Sequence, residues 1–506
     1  MVQRVTSQSI QNTVLSNIFR ITEGLAKTQT EIASGKRILK PSDDPAGLRN
    51  SLSLRTGIGQ ATQFIRNIDN NKIFIQSTDS SLESVGLGLT RAKELAISEL
   101  GGTSTPETRG FAAIEIGQVV SQALEAANTK VKDQFIFGGA QTRTAPFQVS
   151  ASGAIYQGSV DSFTIEIAKN INVGLTIPGS TALGTDLNPS LTLSTLLSDL
   201  NGGKGVPAGQ FAITDRGGNG ATITVAGGAT LGTVISSINS AGINVTAALN
   251  ANGNGISLTD TSPLITQALT VAEVSGGTTG SALGILGQRD GSLSGSDLNA
   301  RVTSGTLLAD LNAGAGLVLD DINIHNGAAS GTISFASATT IGDALNLINS
   351  AGLNVTASIN SAGNGLRVVS NDSTTVAVVN EIGVGTTAEN LGLGGGRNVL
   401  DTLITLKQAL EKDDTGAILA TLENLDKGLV SVNESRAFVG ATLRRIESTG
   451  SILNQDIVDQ TTQLSHTEDA DIVKSASDLA ALTQALNATL NTTARILQPS
   501  LLDFLR

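Results

Sequence analysis

Two stretches of helical heptad pattern, at opposite ends of the chain, constrain its fold more than any other feature. Near the N-terminus Val14, Ile18, Ile21, Leu25 and Ile32 follow steps of 4, 3, 4 and 7. A longer run, Leu54, Ile58, Ala61, Ile65, Ile68, Ile75, Leu82, Leu89 and Ala96, alternates threes and fours and then settles to sevens. This spacing predicts one apolar seam along a helix of some forty residues. Lys72, Asp79, Gly86 and Lys93 fill alternate core positions, where polar slots lower stability and fix register. Between the runs, Ser34-Gly35-Lys36-Arg37-Ile38 and Pro41-Ser42-Asp43-Asp44-Pro45-Ala46-Gly47 break the helix. Asp43 and Asp44 there are expected to cap helices or pair with Lys36 and Arg37. The C-terminal end mirrors the pattern: Leu443, Ile446, Leu453, Ile457 and Leu464, then Ile472, Leu479, Leu482, Leu486, Leu490 and Leu497. Ser465-His466-Thr467-Glu468 has the spacing of a capping box opening the last helix, and Pro499 is expected to stop it. Stripes this narrow are marginal in isolation, so their expected partners are the helices of the other end and neighbouring copies of the chain.

Residues 141–399 are different: rich in Gly, Thr, Ser, Asn and Val and poor in charge, they read as β-rich. They hold an internal repeat. Ile238-Asn-Ser-Ala-Gly-Ile-Asn-Val-Thr-Ala247 recurs as Ile348-Asn-Ser-Ala-Gly-Leu-Asn-Val-Thr-Ala357, each followed by Gly-Asn-Gly. Upstream, Thr195-Leu-Leu-Ser-Asp-Leu-Asn201 recurs as Thr306-Leu-Leu-Ala-Asp-Leu-Asn312. Each copy parses as a short helix, two alternating strands, a helix capped by Thr230 or Thr340, and a hairpin around the Asn-Gly turn. The expected fold is therefore multidomain. A long α-helical coiled-coil bundle is formed by both termini, 1–140 and 400–506. A β-rich α+β insert, 141–399, carries two repeated modules at about 190–265 and 303–373.

Composition narrows the function. The chain of 506 residues has no Cys, which excludes disulfides, thiolate metal sites and Cys nucleophiles. Aromatics are 3 %, scarce for a ligand pocket or a base-stacking platform. A net charge of −12 argues against nucleic acid. No run of apolar residues is long enough to span a membrane, so no membrane insertion is expected, and no classical signal peptide is expected either. The two histidines, His325 and His466, stand apart, and His466 is expected to influence the start of the last helix. Gly202-Gly203-Lys204-Gly205 lacks the phosphate-loop spacing, and Gly217-Gly218-Asn219-Gly220 lacks the regular Asp of a calcium repeat. No catalytic, cofactor-binding or metal-binding constellation is expected, and the chain reads as a non-enzyme. A glycine-rich polar insert also admits an adhesive, sugar-binding surface.

Both ends resemble the flagellin superfamily. Ile32-Ala33-Ser34-Gly35-Lys36-Arg37-Ile38 with Ser42–Gly47 looks like its N-terminal signature, and Arg436-Ala437-Phe438-Val439-Gly440-Ala441 with Arg444–Glu447 looks like its C-terminal counterpart. Within that superfamily, Phe135–Phe147 (Phe-Ile-Phe-Gly-Gly-Ala-Gln-Thr-Arg-Thr-Ala-Pro-Phe) and Glu468-Asp469-Ala470-Asp471 resemble the branch at the junction of hook and filament. Gln498–Leu505 is shared more broadly, and the length of the insert keeps the filament branch open. The resemblance implies an extracellular flagellar subunit, exported unfolded without a cleaved signal peptide and served by an export chaperone. Its terminal helices would order as subunits stack. Partners would be further copies and the hook-side and filament-side axial proteins. The residues implied for the assembly interface are Ile18, Leu25, Ile65, Ile68, Ile472, Leu479, Leu486 and Leu497.

Overall fold

The computed structural model describes residues 7–150 and 153–496, and the expectations placed on Leu497, Pro499 and Gln498–Leu505 lie outside these. In chain order, α1 is Ser7–Ser34, α2 Pro45–Glu99 and α3 Pro106–Ala127, followed by β1 Lys130–Val131, β2 Gln134–Phe135, β3 Phe147–Ser150, β4 Gly153–Tyr156, β5 Thr164–Ala168, β6 Ile171–Gly174 and the short α4 Gly179–Ala182. The next stretch is β7 Gly209–Thr214, β8 Gly220–Val225, α5 Leu231–Asn239, β9 Val245–Leu249, β10 Ile256–Asp260, β11 Leu269–Glu273, α6 Thr279–Ala282, β12 Gly287–Arg289 and β13 Ser292–Ser294. Then come β14 Ile322–Asn326, β15 Ala329–Ile333, α7 Ile341–Asn349, β16 Val355–Ile359, β17 Leu366–Ser370, β18 Ala377–Glu381, α8 Thr387–Leu391, α9 Val399–Glu411, α10 Thr415–Glu468 and α11 Ile472–Ile496. The chain forms two compact units: Met1–Asp69 with Ile167–Ile171 and Ile446–Arg506, and Asn70–Glu166 with Asn172–Arg445.

In the first unit α1 packs along α11, and the first turns of α2 lie beside the last turns of α10. Helix α1 ends where Gly35 takes φ +69°, a left-handed conformation that glycine adopts without steric cost. Helix α2 opens on Pro45, with the Asp44 carboxylate accepting from the Gly47 amide at 2.8 Å. Arg37 pairs with Asp44 at 3.3 Å, while Asp43 ties the turn before it through the Leu39 and Lys40 amides. Those backbone bonds hold Asp43 below the usual carboxylate range. Lys36, in contrast to the expectation above, pairs with Glu468. Seven threonines, Thr22, Thr28 and Thr30 of α1 and Thr483, Thr489, Thr492 and Thr493 of α11, donate their hydroxyls to the carbonyl four residues back, at 2.6–3.0 Å.

Two sequence expectations fail at the α10–α11 corner. Ser465–Glu468 is not a capping box: α10 continues to Glu468, so His466 sits in a last turn rather than beside a helix start. The cap of α11 is Asp471, whose Oδ1 accepts from the Val473 and Lys474 amides at 3.0 and 3.1 Å. Ser-x-x-Glu spacing is common inside polar helices, and three residues further on lies a better N-cap.

In the second unit the α2 seam is sealed: Ile75, Leu82, Leu89 and Ala96 are buried. The polar positions in that seam are matched individually. Asp79 accepts from Arg436 at 3.0 Å, Lys93 pairs with Asp426, and Gly86 leaves room for Val432. Helix α3 lies against α9, and buried Arg109 bonds Asp413 and the Glu99 carbonyl. The β-rich part builds a sheet β12-β11-β7-β8 and a sheet β13-β10-β9 around α5, and then β15-β14-β18 and β16-β17 around α7. Leu231, Val234, Ile235 and Ile238 bury one face of α5, and Ile341, Ala344 and Ile348 one face of α7. Thr230 caps α5 and Thr340 caps α7, as the sequence suggests. The openings read as short helices are single 3-10 turns, Leu197–Asp199 and Leu308–Asp310.

Candidate assembly surface

The first unit carries helix faces that its own partners do not cover. Along α1 from Asn12 to Ser34 only Thr28 is buried, and along α11 from Ile472 to Ala494 only Ser475 is. Ile18 and Leu25 on α1 and Leu479 and Leu486 on α11 are half-buried, and Ile472 is exposed. Gly24 brings α1 close to Leu482. A two-helix pair covers one side of each stripe and leaves the other to solvent, so among the described residues α1 and α11 form no apolar core of their own. By contrast Ile68 is buried at 4 % exposure beside Gly450, and Ile65 is half-buried. Leu497 lies outside the described residues.

Sequence reasoning missed a second set of apolar residues on the helices of this unit. Phe19 is 72 % exposed and Leu15 lies one turn before it; Val473 is 82 % exposed, and Leu52, Ile452 and Val458 are exposed as well. The i, i+4 pair Leu15–Phe19 was the available signal, since residues four apart share a helix face. Burying one such side chain contributes about 1.5–3 kcal/mol.

A polar clamp joins the two terminal segments. The Gly35 carbonyl accepts from Ala470 N at 2.9 Å, and Arg37 N donates to the Glu468 carbonyl at 2.7 Å. The Glu468 side chain, 10 % exposed, receives Arg55 Nη2 at 2.6 and 2.8 Å and Lys36 Nζ at 3.0 Å. The Arg55 hydrogen bond, and then the one from Lys36, outweigh burial and hold this carboxyl below its usual range. Residues more than 400 positions apart are thus fixed through one carboxylate.

The segment Phe135–Phe147 folds as a tight knot in the second unit. Ile136 and Phe137 are fully buried, Gly139 has φ +60°, and a Cβ there would collide with the Ser159 carbonyl. The Tyr156 hydroxyl lies 3.0 Å from the Phe137 carbonyl and 2.8 Å from that of Ser159, and its ring packs on Phe147 at 5.2 Å. Among the described residues no cluster of three or more His, Cys, Asp or Glu has the geometry to hold a metal ion, and no helix is long and apolar enough to cross a membrane.

Helical terminal segments joined by a clamp, with a β-rich insert between them in the sequence, are the features by which the chain resembles the flagellin class. Residues 5–142 match the bacterial flagellin N-terminal helical region and residues 321–372 the flagellin hook IN motif. Within that class it is similar to hook-associated protein 3 of Salmonella typhimurium, 26 % identical over 178 residues, which are 34 % of this chain and 55 % of that one. It is also similar to the flagellar filament 41 kDa core protein of Borreliella burgdorferi, 39 % identical over 98 residues, 19 % of this chain and 29 % of that one. The chain spans less than two thirds of the length of each of these curated relatives. A solved structure of flagellar hook-associated protein 3 from Legionella pneumophila aligns with a TM-score of 0.35 and 13 % identity, over 82 % of this chain and 97 % of that one.

Proposed function

We propose that this chain is a structural subunit of the bacterial flagellum that joins hook to filament by self-assembly of its terminal helices, and that it has no catalytic role. The carrying observation is the α1–α11 pair, whose apolar stripes stay half-open to solvent and would close only against other subunits. On this reading Ile18, Leu25, Ile472, Leu479, Leu486 and Leu497 face neighbouring subunits, and Ile65 and Ile68 support them from α2. The termini work as one coiled-coil bundle, and 190–265 and 303–373 are two copies of one insert module, supported by their matching sequence and element order. The location is extracellular, at the hook–filament junction, reached by flagellar export with a chaperone. Partners are hook-side and filament-side axial proteins, with no role for nucleic acid.

The double variant Leu479→Asp, Leu486→Asp tests the assembly role. Two carboxylates in closing apolar seams should abolish motility while Tyr156 fluorescence keeps its native, folded signature. Normal motility would remove the assembly role. A second reading, a filament subunit, is favoured by the similarity to a filament core protein. Electron microscopy of a deletion strain separates the two: bare hooks support the junction, and intact hooks with shortened filaments support the filament.

A further inference from the structure

The two repeats differ in one respect that leaves a strand edge open. In the first, β9 and β10 are joined by a third strand: Ser257, Leu258 and Thr259 pair with Ser294, Leu293 and Ser292. In the second, β16 and β17 form a two-stranded sheet. The 110-residue offset that maps Ile238 to Ile348 also maps Ile256, Leu258 and Asp260 to Leu366, Val368 and Ser370. The reason for the difference lies in the connections. After α6 the first repeat makes β12 and β13, which add one strand to each of its two sheets; after α8 the second turns at Gly392, φ +79°, and enters α9.

The ladder fixes which main-chain groups face outward. Asn360 N donates to the Gly365 carbonyl at 2.9 Å and Asn371 N to the Asn354 carbonyl at 3.0 Å, so these are bonded pairs. Antiparallel pairs alternate, which turns the N–H and C=O of Leu366, Val368 and Ser370 away from β16. In the first repeat the corresponding outward groups are satisfied: Gly295 N reaches the Ile256 carbonyl at 2.7 Å, and Asp260 N donates to the Gly291 carbonyl at 3.0 Å. Among the described residues no main-chain bond reaches Leu366, Val368 or Ser370 from that side. Burial follows: Leu258 is fully buried, whereas Val368 is half-buried. The neighbouring edge of β18, which lacks the partner β12 gives β11, is met by α10 instead, where Asn424 Nδ2 donates to the Val379 carbonyl at 3.0 Å; just before each element, Val376 N donates to Asp414 at 3.0 Å.

Beside the open edge is a cleft of about 180 Å³ lined by β17, by Gly153–Tyr156 of β4 and by Asp401, Thr405 and Lys412 of the α9 region. The β4 side is already tied off, because Ala154 N donates to Asp401 Oδ1 at 2.7 Å and the Tyr156 carbonyl accepts from Asn364 at 2.8 Å. We propose that this cleft accepts an extended segment of a partner protein as the third strand beside β17. The segment the site fits is uncharged, one aliphatic side chain between small residues, because Ser292-Leu293-Ser294 fills the equivalent place in the first repeat with Leu293 buried. Main-chain bonds to Leu366 and Val368 supply the binding, and the aliphatic side chain packs on Val368. Walls on both sides of the cleft also keep the bare edge from pairing with a whole foreign sheet. The proposal does not depend on the assembly role of the terminal helices.

The test uses the full chain and a synthetic peptide, blocked at both ends, with the sequence of residues 291–296, Gly-Ser-Leu-Ser-Gly-Ser. Hydrogen exchange across residues 364–371 should slow by about tenfold or more at saturating peptide. The same peptide N-methylated at Leu, or with Leu replaced by Asp, should give no protection. Absence of protection at millimolar peptide would overturn the proposal, as would equal protection by the methylated peptide or protection confined to another segment. Concentration-dependent protection of 364–371 without peptide would assign the edge to a second copy instead and overturn the partner.

Discussion

Replacing Glu468 by Ala should loosen the meeting point of the two terminal segments without unfolding the second unit. The carboxylate is 10 % exposed and takes two bonds from Arg55 and one from Lys36, whose side chains are 47 % and 39 % exposed. A buried carboxylate bonded to charged donors is worth about 1.5–3 kcal/mol per bond, but both cations here recover hydration once released. A net loss of about 2 kcal/mol is therefore expected, with the main-chain bonds Arg37–Glu468 and Ala470–Gly35 left in place. That corresponds to roughly 30-fold faster amide exchange in residues 30–40 and 465–475. Exchange in residues 230–260 serves as the internal control and should not change. Glu468→Gln should lose somewhat less, because it keeps the shape and one acceptor. The pH dependence has a definite sign. The folded carboxyl titrates below its unfolded value, so the clamp's contribution is complete above the ordinary Glu range and disappears as pH falls through the folded value. Less than a threefold change in the terminal segments at neutral pH would refute the reasoning.

Two further outcomes concern the second unit. Burial pushes Asp186 and Asp401 up to about 7, so both favour stability in their protonated form and lose it as pH rises from the ordinary Asp range toward 7. Asp215 and Asp343 sit at about 2, the first because bonds from Asn219 and Asn244 overcome its burial, the second through Thr339 and Thr340, so their contribution is lost as pH falls toward 2. Urea midpoints read from Tyr156, the single tyrosine in a chain without tryptophan, should therefore peak near pH 4–5, and a monotonic rise to pH 8 would contradict this. Gly139→Ala should cost more than 3 kcal/mol and lower the same midpoint, since it adds a left-handed alanine to a collision with the Ser159 carbonyl; a cost below about 1 kcal/mol would show that the knot yields.

The helical ends were legible because their signal is periodic. The seam Ile75, Leu82, Leu89 and Ala96 is spaced for burial, and the structure buries it. Thr230 and Thr340 were legible as caps because their hydroxyls act three residues away. What escaped is not local. No pattern says that Lys36 and Arg55 share Glu468, because the pairing spans more than 400 positions and arises only when both termini are folded. The real N-cap, Asp471, was hidden by a better-known four-residue spacing just upstream. Exposed Leu15 and Phe19 lie one position off the heptad seam of Val14, Ile18, Ile21 and Leu25. The open edge of β17 is the absence of a third strand like the one β13 adds to β10, visible only in the strand pairing.

The threonines of α1 and α11 change what these helices present to a neighbour. With each hydroxyl turned back onto its own helix, the γ-methyl is left outermost, and the residue behaves outwardly as a valine would. Such a surface sheds water without stranding a donor, so two helices can come together there with little polar matching. A scale that scores threonine as polar therefore underrates how readily this pair of helices can be dried.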